Sequence, residues 1–387
     1  MVKREFWVHQ IEAAWKRKSV IWLRGVRRVG KTCLAQTLER VEYFDCELPR
    51  VRRAMEDPEA FLAKLRGKRV VLDEIHRLPN PSEMLKIAAD YFPETRVLAT
   101  GSSTLGASAR FRDTLAGRKA DVWLTPMVEA DLAAFGNTNL EHRLLHGGLP
   151  PFFLANELPE KDFQDWLDAY WAKDIQELFR LERRASFQRF VELLMIQSGG
   201  MFEATRFAAP CEVSRSTITN YLAVLEATGV ALVIRPFSSR RSREVIAAPK
   251  VYGFDTGFVC VCRGWTHLRR EDLGRLWEHY VLNEIIAHTQ STAIRYWRDK
   301  FGHEVDFVWA PGARPKLALE CKWSVGDFDP SGLLAFARSY PEAELLVVAA
   351  DARPGFTKTY QGKTVAFVSL AEAISRILPS GPAASDQ

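Results

Sequence analysis

One stretch, VIWLRGVRRVGKT from Val20 to Thr32, restricts the fold of this chain more than any other. Val20 to Arg24 read as a short buried strand. Gly25, Gly30, Lys31 and Thr32 then stand in the four fixed places of the phosphate-binding pattern G-x-x-x-x-G-K-[ST]. The chemistry dictates that spacing. The two glycines let successive backbone N–H groups line a concave nest for phosphate oxygens, and the helix starting near Gly30 aims its positive dipole end at the same oxygens. Lys31 is expected to meet the β- and γ-phosphates of ATP. Thr32 supplies a hydroxyl to Mg²⁺, which takes its other ligands from water, phosphate and an acidic residue. Val29 and Cys33, beside the two anchor positions, complete the expected nucleotide contacts.

The acidic residue follows in RVVLDEIH, Arg69 to His76, where an apolar run ends in two carboxylates. This is the pattern of a strand buried on both faces whose C-terminal end opens on a ligand crevice. Asp73 is expected to hold Mg²⁺ directly or through water, and Glu74 to orient and polarise the water that attacks the γ-phosphate. EYFDC (Glu42 to Cys46) reads as a further strand, and so does RVLATGSS (Arg96 to Ser103), which ends in small polar residues. Ser102 or Ser103 fits either a γ-phosphate sensor or a helix N-cap. LAGRK, Leu115 to Lys119, puts Arg118 on a glycine-marked turn before the strand-like VWLTP. It reads either as an arginine finger completing a neighbour's site, which requires a homo-oligomer, or as a solvated charge.

GVRRVGKT, VVLDEIH, ATGSS, LAGRK followed by LTPMVEADL, and the later HGGLP together resemble the prokaryotic AAA-type ATPases that carry a C-terminal domain of unknown function with a restriction-endonuclease-like fold. The likeness runs, with gaps, from about Trp22 to Leu370. It implies an α/β P-loop NTPase domain in which Gly30, Lys31, Thr32, Asp73 and Glu74 bind and hydrolyse ATP.

At 387 residues the chain exceeds one average core, so several domains are expected. Charge is nearly balanced, +5 at pH 7, so a nucleic-acid surface has to come from local clustering rather than a basic bulk. The six cysteines are scattered without C-x-x-C spacing, and the N-terminus is a charged amphipathic helix with Phe6, Ile11 and Trp15 near one stripe. These features point to a reducing cytoplasm without disulfides, export signal or membrane span.

Between Gly147 and Gln197, Phe163, Trp166, Tyr170, Ile175, Leu178, Phe190, Leu193 and Leu194 recur at helical spacing and read as packing surface of a helical connector. From Glu203 to Arg235 the pattern becomes a short helix, a turn, and a second helix with Ser214 as N-cap. Ile218, Tyr221, Leu222 and Leu225 form the inner stripe of that helix. Arg215, Ser216, Thr219 and Asn220 lie on its outer face, where the recognition helix of a winged helix-turn-helix meets the major groove of double-stranded DNA. SSRRSRE would form the wing, with Arg240, Arg241 and Arg243 on phosphates. Pro210 inside the first helix and Glu212 at a turn position that usually takes glycine depart from the pattern. A module used only for packing or for a protein partner fits the same residues.

In the last part, Glu271 to Thr289 form a helix carrying Glu278, followed by two strands, HEVDFVW and KLALECKW, around the turn PGARP. A turn centred on Ala313 sets Asp306 opposite Glu320 and Lys322 opposite Glu304, with Glu320 and Lys322 sharing a face with Asp306. Two carboxylates about 5 Å apart repel unless a cation lies between them. Mg²⁺ is the expected occupant, with Lys322 placed to activate a water; a Lys322–Glu304 surface pair is the plainer alternative. The arrangement resembles the PD-(D/E)-x-K nuclease site, and the family resemblance implies Glu278, Asp306, Glu320 and Lys322 as that site.

The expected organisation is a P-loop ATPase domain over residues 1–136, a helical connector over 137–200, a winged helix over 201–255, a nuclease-like α/β domain over 256–376 and a flexible tail over 377–387. ATP hydrolysis is expected to control a DNA-binding module and a Mg²⁺-dependent nuclease domain, or else to run a regulatory switch or scaffold whose nuclease-like domain is inactive.

Overall fold

Short apolar runs ending in polar residues give the first sheet its strands: β1 (Val20–Arg24), β2 (Glu42–Asp45), β3 (Arg69–Asp73), β4 (Arg96–Thr100) and β5 (Lys119–Trp123). They lie in the order β2-β3-β4-β1-β5 and every neighbouring pair is parallel. A parallel sheet needs cover on both faces, and β1, β3 and β4 are buried along nearly their whole length. The computed structural model describes residues 1–101, 109–158, 160–176, 183–238, 248–312 and 314–378. The chain divides into two units: Met1–Asn139, Gly147–Gln188 and Thr219–Val230 make the first, and Leu140–His146, Arg189–Ile218 and Ala231–Gln387 the second.

Within the first unit, one core gathers Trp22, Val70, Leu72, Val97, Met84 and Phe111 on one side of the sheet. The N-terminal helix, Glu5–Trp15, buries Trp7, Ile11, Ala14 and Trp15. Trp7, at the i−4 position from Ile11, takes the inward place expected of Phe6, which is half-buried and packs edge-on against the Trp7 ring. β5 begins at Lys119, earlier than VWLTP suggests, so Arg118 directly precedes the strand. Of the connector's stripe, Phe163, Trp166, Tyr170 and Ile175 are buried here; Leu178 lies outside the described residues.

The second unit holds two sheets. β6 (Gly200–Met201), β7 (Ala231–Ile234) and β8 (Lys250–Gly253) are antiparallel in the order β6-β8-β7. β9 (Ile294–Arg298), β10 (Glu304–Trp309), β11 (Leu317–Lys322), β12 (Glu344–Ala349), β13 (Phe356–Tyr360) and β14 (Lys363–Val368) form a mixed sheet in the order β13-β14-β12-β11-β10-β9. The β10–β11 hairpin pairs Phe307 with Leu319, Val308 with Ala318 and Trp309 with Leu317, the register of a turn centred on residue 313. Continued by one residue, it sets Asp306 opposite Glu320. The helix Arg270–Thr289 is anchored by Trp277, whose indole N–H donates to the Val348 carbonyl at 2.9 Å.

Helix Ala204–Ala208 stops before Pro210, and Glu212 adopts φ +55°, the left-handed conformation for which glycine is usual. Ser214 Oγ accepts from the Thr217 N–H at 3.2 Å and caps helix Arg215–Thr228. Ile218, Tyr221, Leu222 and Leu225 of that helix are buried, while Arg215, Ser216, Thr219 and Asn220 are exposed. Arg240, Arg241 and Arg243 lie outside the described residues.

Two properties of this unit are measurable. A Cβ on Gly332, in helix Ser331–Ser339, would collide with the Glu304 carbonyl oxygen of β10. Gly332→Ala is therefore expected to destabilise the unit by about 1–3 kcal/mol in urea unfolding, the usual cost of overpacking. His279 is buried beside Ser198, and burial, then the nearby Arg275 and Arg263 charges, push its pKa down to about 3. Between that value and about 6.5 the unfolded chain binds the proton and the folded one does not, so stability falls as pH falls. From pH 7 to pH 5 the parent should lose about 2 kcal/mol more than His279→Gln in urea titrations.

Candidate functional site

At the C-terminal ends of parallel strands the backbone polar groups emerge together, and a loop and a carboxylate pair meet there in the first unit. The loop after β1 turns into helix Lys31–Gln36 through Gly30 at φ +101°, a value that side chains rarely tolerate. A Cβ on residue 25 would stand 2.5 Å from the Leu124 carbonyl oxygen, so only glycine fits between the loop and the end of β5. Lys31 Nζ donates to the loop's own carbonyls, Gly25 at 2.9 Å and Val26 at 3.3 Å. This cradle fits a phosphate group: it combines a backbone that only glycine allows with an ammonium held over it by weak acceptors. Within the loop Val29 is buried; Thr32 is half-buried and Cys33 is exposed.

Asp73 ends β3 and is buried. Its carboxylate accepts from Tyr43 Oη at 2.6 Å and from the hydroxyl of Thr100 at the end of β4, and Thr100 Oγ1 also accepts from the Glu74 N–H at 3.2 Å. Burial and the bond to Asp73 raise the Tyr43 pKa, so the phenol stays a donor. Glu74 sits at φ +53° with Oε2 3.1 Å from His76 Nδ1. Burial would raise its pKa, but the His76 hydrogen bond and the Lys31 and Arg27 charges outweigh this and hold the carboxyl below its ordinary range. The site therefore offers an ionised carboxylate facing the lysine of the loop. Ser102 and Ser103 lie outside the described residues; the hydroxyl that β4 places on Asp73 is that of Thr100. Arg118 is engaged within the chain, its Nε donating to Asp90 at 2.8 and 3.0 Å.

Three residues that the local motif does not contain hold the loop. Arg4, 3% exposed, donates through Nε and Nη2 to Asp131 at 3.0 and 2.6 Å and through Nη1 to the Val29 carbonyl at 3.0 Å. Asp131, 1% exposed, also accepts from Trp7 Nε1 at 3.2 Å and from the Val128 N–H at 3.1 Å. From the other side Trp166 Nε1 donates to the Arg27 carbonyl at 2.9 Å. The connector tryptophan is thus more than packing.

The second unit brings the expected carboxylates together, but with a different cation. Lys250 begins β8 and is 4% exposed; its Nζ lies 2.5 Å from Glu304, 3.3 Å from Glu278 and 3.7 Å from Asp306. Tyr252, two residues on, donates its hydroxyl to Glu278. Asp306 Oδ2 accepts from the Cys321 N–H at 2.9 Å, and Lys322 Nζ contacts Glu320 at 2.8 Å rather than Glu304. Burial, and after it the Asp306 charge, raise the pKa of both Glu278 and Glu320. Burial alone would lower that of Lys250, but Glu278, Asp306 and Glu304 hold it above the ordinary lysine range. Of the three carboxylates expected to hold Mg²⁺, Glu278 and Asp306 face the Lys250 ammonium and Glu320 faces that of Lys322. Among the described residues no group of three or more His, Cys, Asp and Glu side chains has the geometry to hold a metal ion. The residues as arranged do not fit that metal.

The first unit is a parallel α/β fold with a phosphate-binding loop after β1, and residues 17–132 match the family model described as AAA domain. Residues 137–269 match a domain of unknown function (DUF8612) and residues 273–369 another (DUF4143). Two mycobacterial relatives, the uncharacterized protein Rv2008c of Mycobacterium tuberculosis and the uncharacterized protein Mb2031c of Mycobacterium bovis, are each 27% identical over 327 residues, covering 81% of this chain and 73% of theirs. Among solved structures, the Walker-type ATPase PABY2304 of Pyrococcus abyssi is similar with a TM-score of 0.44 and 15% identity over 68% of this chain and 96% of its own. AMPPCP-bound DnaA from Aquifex aeolicus gives a TM-score of 0.27 and 13% identity over 56% of this chain and 86% of its own. No helix among the described residues is long and apolar enough to cross a membrane.

Proposed function

We propose that this chain is a Mg²⁺-dependent ATP hydrolase whose nucleotide state governs a winged-helix module on double-stranded DNA, with a nuclease-like C-terminal unit that performs no metal-dependent cleavage. The observation that carries the ATPase reading is the meeting of the Gly25–Thr32 loop with Asp73 and Glu74 at the C-terminal ends of β1 and β3. Lys31 leaves the loop carbonyls for the β- and γ-phosphates of ATP, exchanging two neutral acceptors for charged ones. Thr32 and Asp73 would hold Mg²⁺, which draws negative charge from the phosphate oxygens when bound. Glu74 accepts a proton from water as the water oxygen bonds to the γ-phosphorus and the bond to the departing ADP breaks. Thr100 and Tyr43 keep the Asp73 carboxylate oriented throughout.

The helices Ala204–Ala208 and Arg215–Thr228 with β7 and β8 support the winged-helix reading, and the exposed Arg215, Ser216, Thr219 and Asn220 are the side chains it offers to a groove. The Asp90 pair accounts for Arg118 within one chain, so a finger role in a homo-oligomer requires that pair to open. The Lys250 ammonium among Glu278, Glu304 and Asp306 favours the reading of an inactive nuclease-like unit over a Mg²⁺-dependent nuclease.

Equilibrium titration with a fluorescent ATP analogue tests the first part: the parent should bind, and Lys31→Ala should lose at least about 100-fold in affinity. Equal binding by both would remove the loop from the site. Incubation of supercoiled plasmid with Mg²⁺ or Mn²⁺, with and without ATP, tests the second. No nicking is expected; nicking by the parent that Lys322→Ala abolishes would restore the nuclease reading. Duplex binding that weakens steeply with salt would support the DNA partner, and salt-insensitive binding to a protein would support the scaffold.

A further inference from the structure

The carboxylates of the second unit come from three separate elements: Glu278 from helix Arg270–Thr289, Glu304 and Asp306 from β10, and Glu320 from β11. They face two ammonium groups. Lys322 is taken up by Glu320 at 2.8 Å and Arg298 stands 3.7 Å from Glu304 Oε2, leaving Lys250 to serve Glu278, Asp306 and the other oxygen of Glu304. One oxygen of the cluster, Glu320 Oε2, is buried without a hydrogen-bond partner among the described residues, so the group still has acceptor capacity to spare. A divalent ion would use that capacity, since Mg²⁺ and Mn²⁺ take oxygen ligands at close range. It would then have to share the space with an ammonium already between three of the carboxylates. Lys250 is not free to swing out, because it is buried on a paired strand, its Nζ lies 6.0 Å from the Tyr296 ring, and Val251 and Tyr252 beside it are buried as well.

We propose that Lys250 is the resident cation of this cluster, a covalently attached substitute for a divalent metal, and that it is what keeps the second unit metal-free. The inference rests on the reading of this unit as an inactive nuclease-like domain and gives its physical cause. It has a direct consequence: the cluster becomes a divalent-cation site when the ammonium is removed. Lys250→Ala vacates the space between Glu278, Glu304 and Asp306, so that these carboxylates can close on a bound ion. Lys250→Arg keeps the charge and should keep the site closed.

The test is Mn²⁺ titration of nucleotide-free, full-length protein, followed by the paramagnetic resonance signal of free Mn²⁺. Any weak binding near Thr32 and Asp73 is common to all the proteins compared and cancels in the difference. The expected result is one additional Mn²⁺ per chain in Lys250→Ala, bound at least tenfold more tightly than by the parent, absent from Lys250→Arg, and lost again in Lys250→Ala/Asp306→Asn. If the parent already binds that ion and Asp306→Asn removes it, Lys250 does not exclude metal and the proposal fails. It fails equally if a folded Lys250→Ala gains no ion. Should Lys250→Ala unfold, thermal melts with millimolar Mn²⁺ decide: recovery of the parental midpoint supports a metal replacing the ammonium, and no recovery contradicts it. ATP turnover, measured on the same preparations, is a separate readout, so failure of the ATPase reading leaves this result distinguishable.

Discussion

Glu74→Gln is expected to bind ATP with parental affinity and to release phosphate about 10²–10⁴-fold more slowly, the usual range for loss of a positioned general base. The substitution keeps the shape of the side chain and removes only its ability to take a proton. The His76 hydrogen bond, with the Lys31 and Arg27 charges, holds the Glu74 carboxyl below its ordinary range, so the parent's base is ionised at neutral pH. Its 3.1 Å contact with His76 puts a second group beside the base, and His76→Ala should alter turnover far less than Glu74→Gln does. A Glu74→Gln variant with parental turnover would put the base elsewhere.

The second large effect concerns a residue that touches no phosphate. Arg4→Met leaves the buried Asp131 carboxyl without its principal cation, and such a loss costs about 3–5 kcal/mol. The same change frees the Val29 carbonyl, so the phosphate loop loses an outside support while Trp166 remains on Arg27. Urea unfolding should show the destabilisation, and ATP affinity should fall along with it. The double variant Arg4→Met/Asp131→Leu removes both charges and should recover most of the lost stability without restoring the loop's support. Equal stability of parent and Arg4→Met would mean that the buried pair is not holding the first unit together.

What the sequence made readable is what local chemistry enforces. The glycines and lysine of the loop, and the carboxylates ending an apolar run, stand at short fixed spacings because phosphate and metal geometry demand them. The register of the β10–β11 hairpin was legible for a similar reason, since the position of the turn fixes every pairing above it. Arg4, Asp131 and Trp166 were not legible as parts of the nucleotide site. Arg4 and Asp131 are 127 residues apart and Trp166 and Arg27 139 apart, and nothing local records that they meet. Lys250 escaped for another reason. Its only trace in the sequence is a lysine at the start of the apolar strand KVYG, and a cation inside an acidic cluster reads as ordinary surface charge until a helix and a second strand bring their carboxylates to it. β13 escaped as well, since its residues Phe356 to Thr359 are all exposed and carry no alternation.

Steady-state phosphate release from Mg²⁺-ATP by the purified full-length chain, run beside Lys31→Ala, tests the ATPase reading most directly. Release by the parent that falls to background in Lys31→Ala is the predicted result. No release by a folded, ATP-bound parent, or equal release by both proteins, would contradict it.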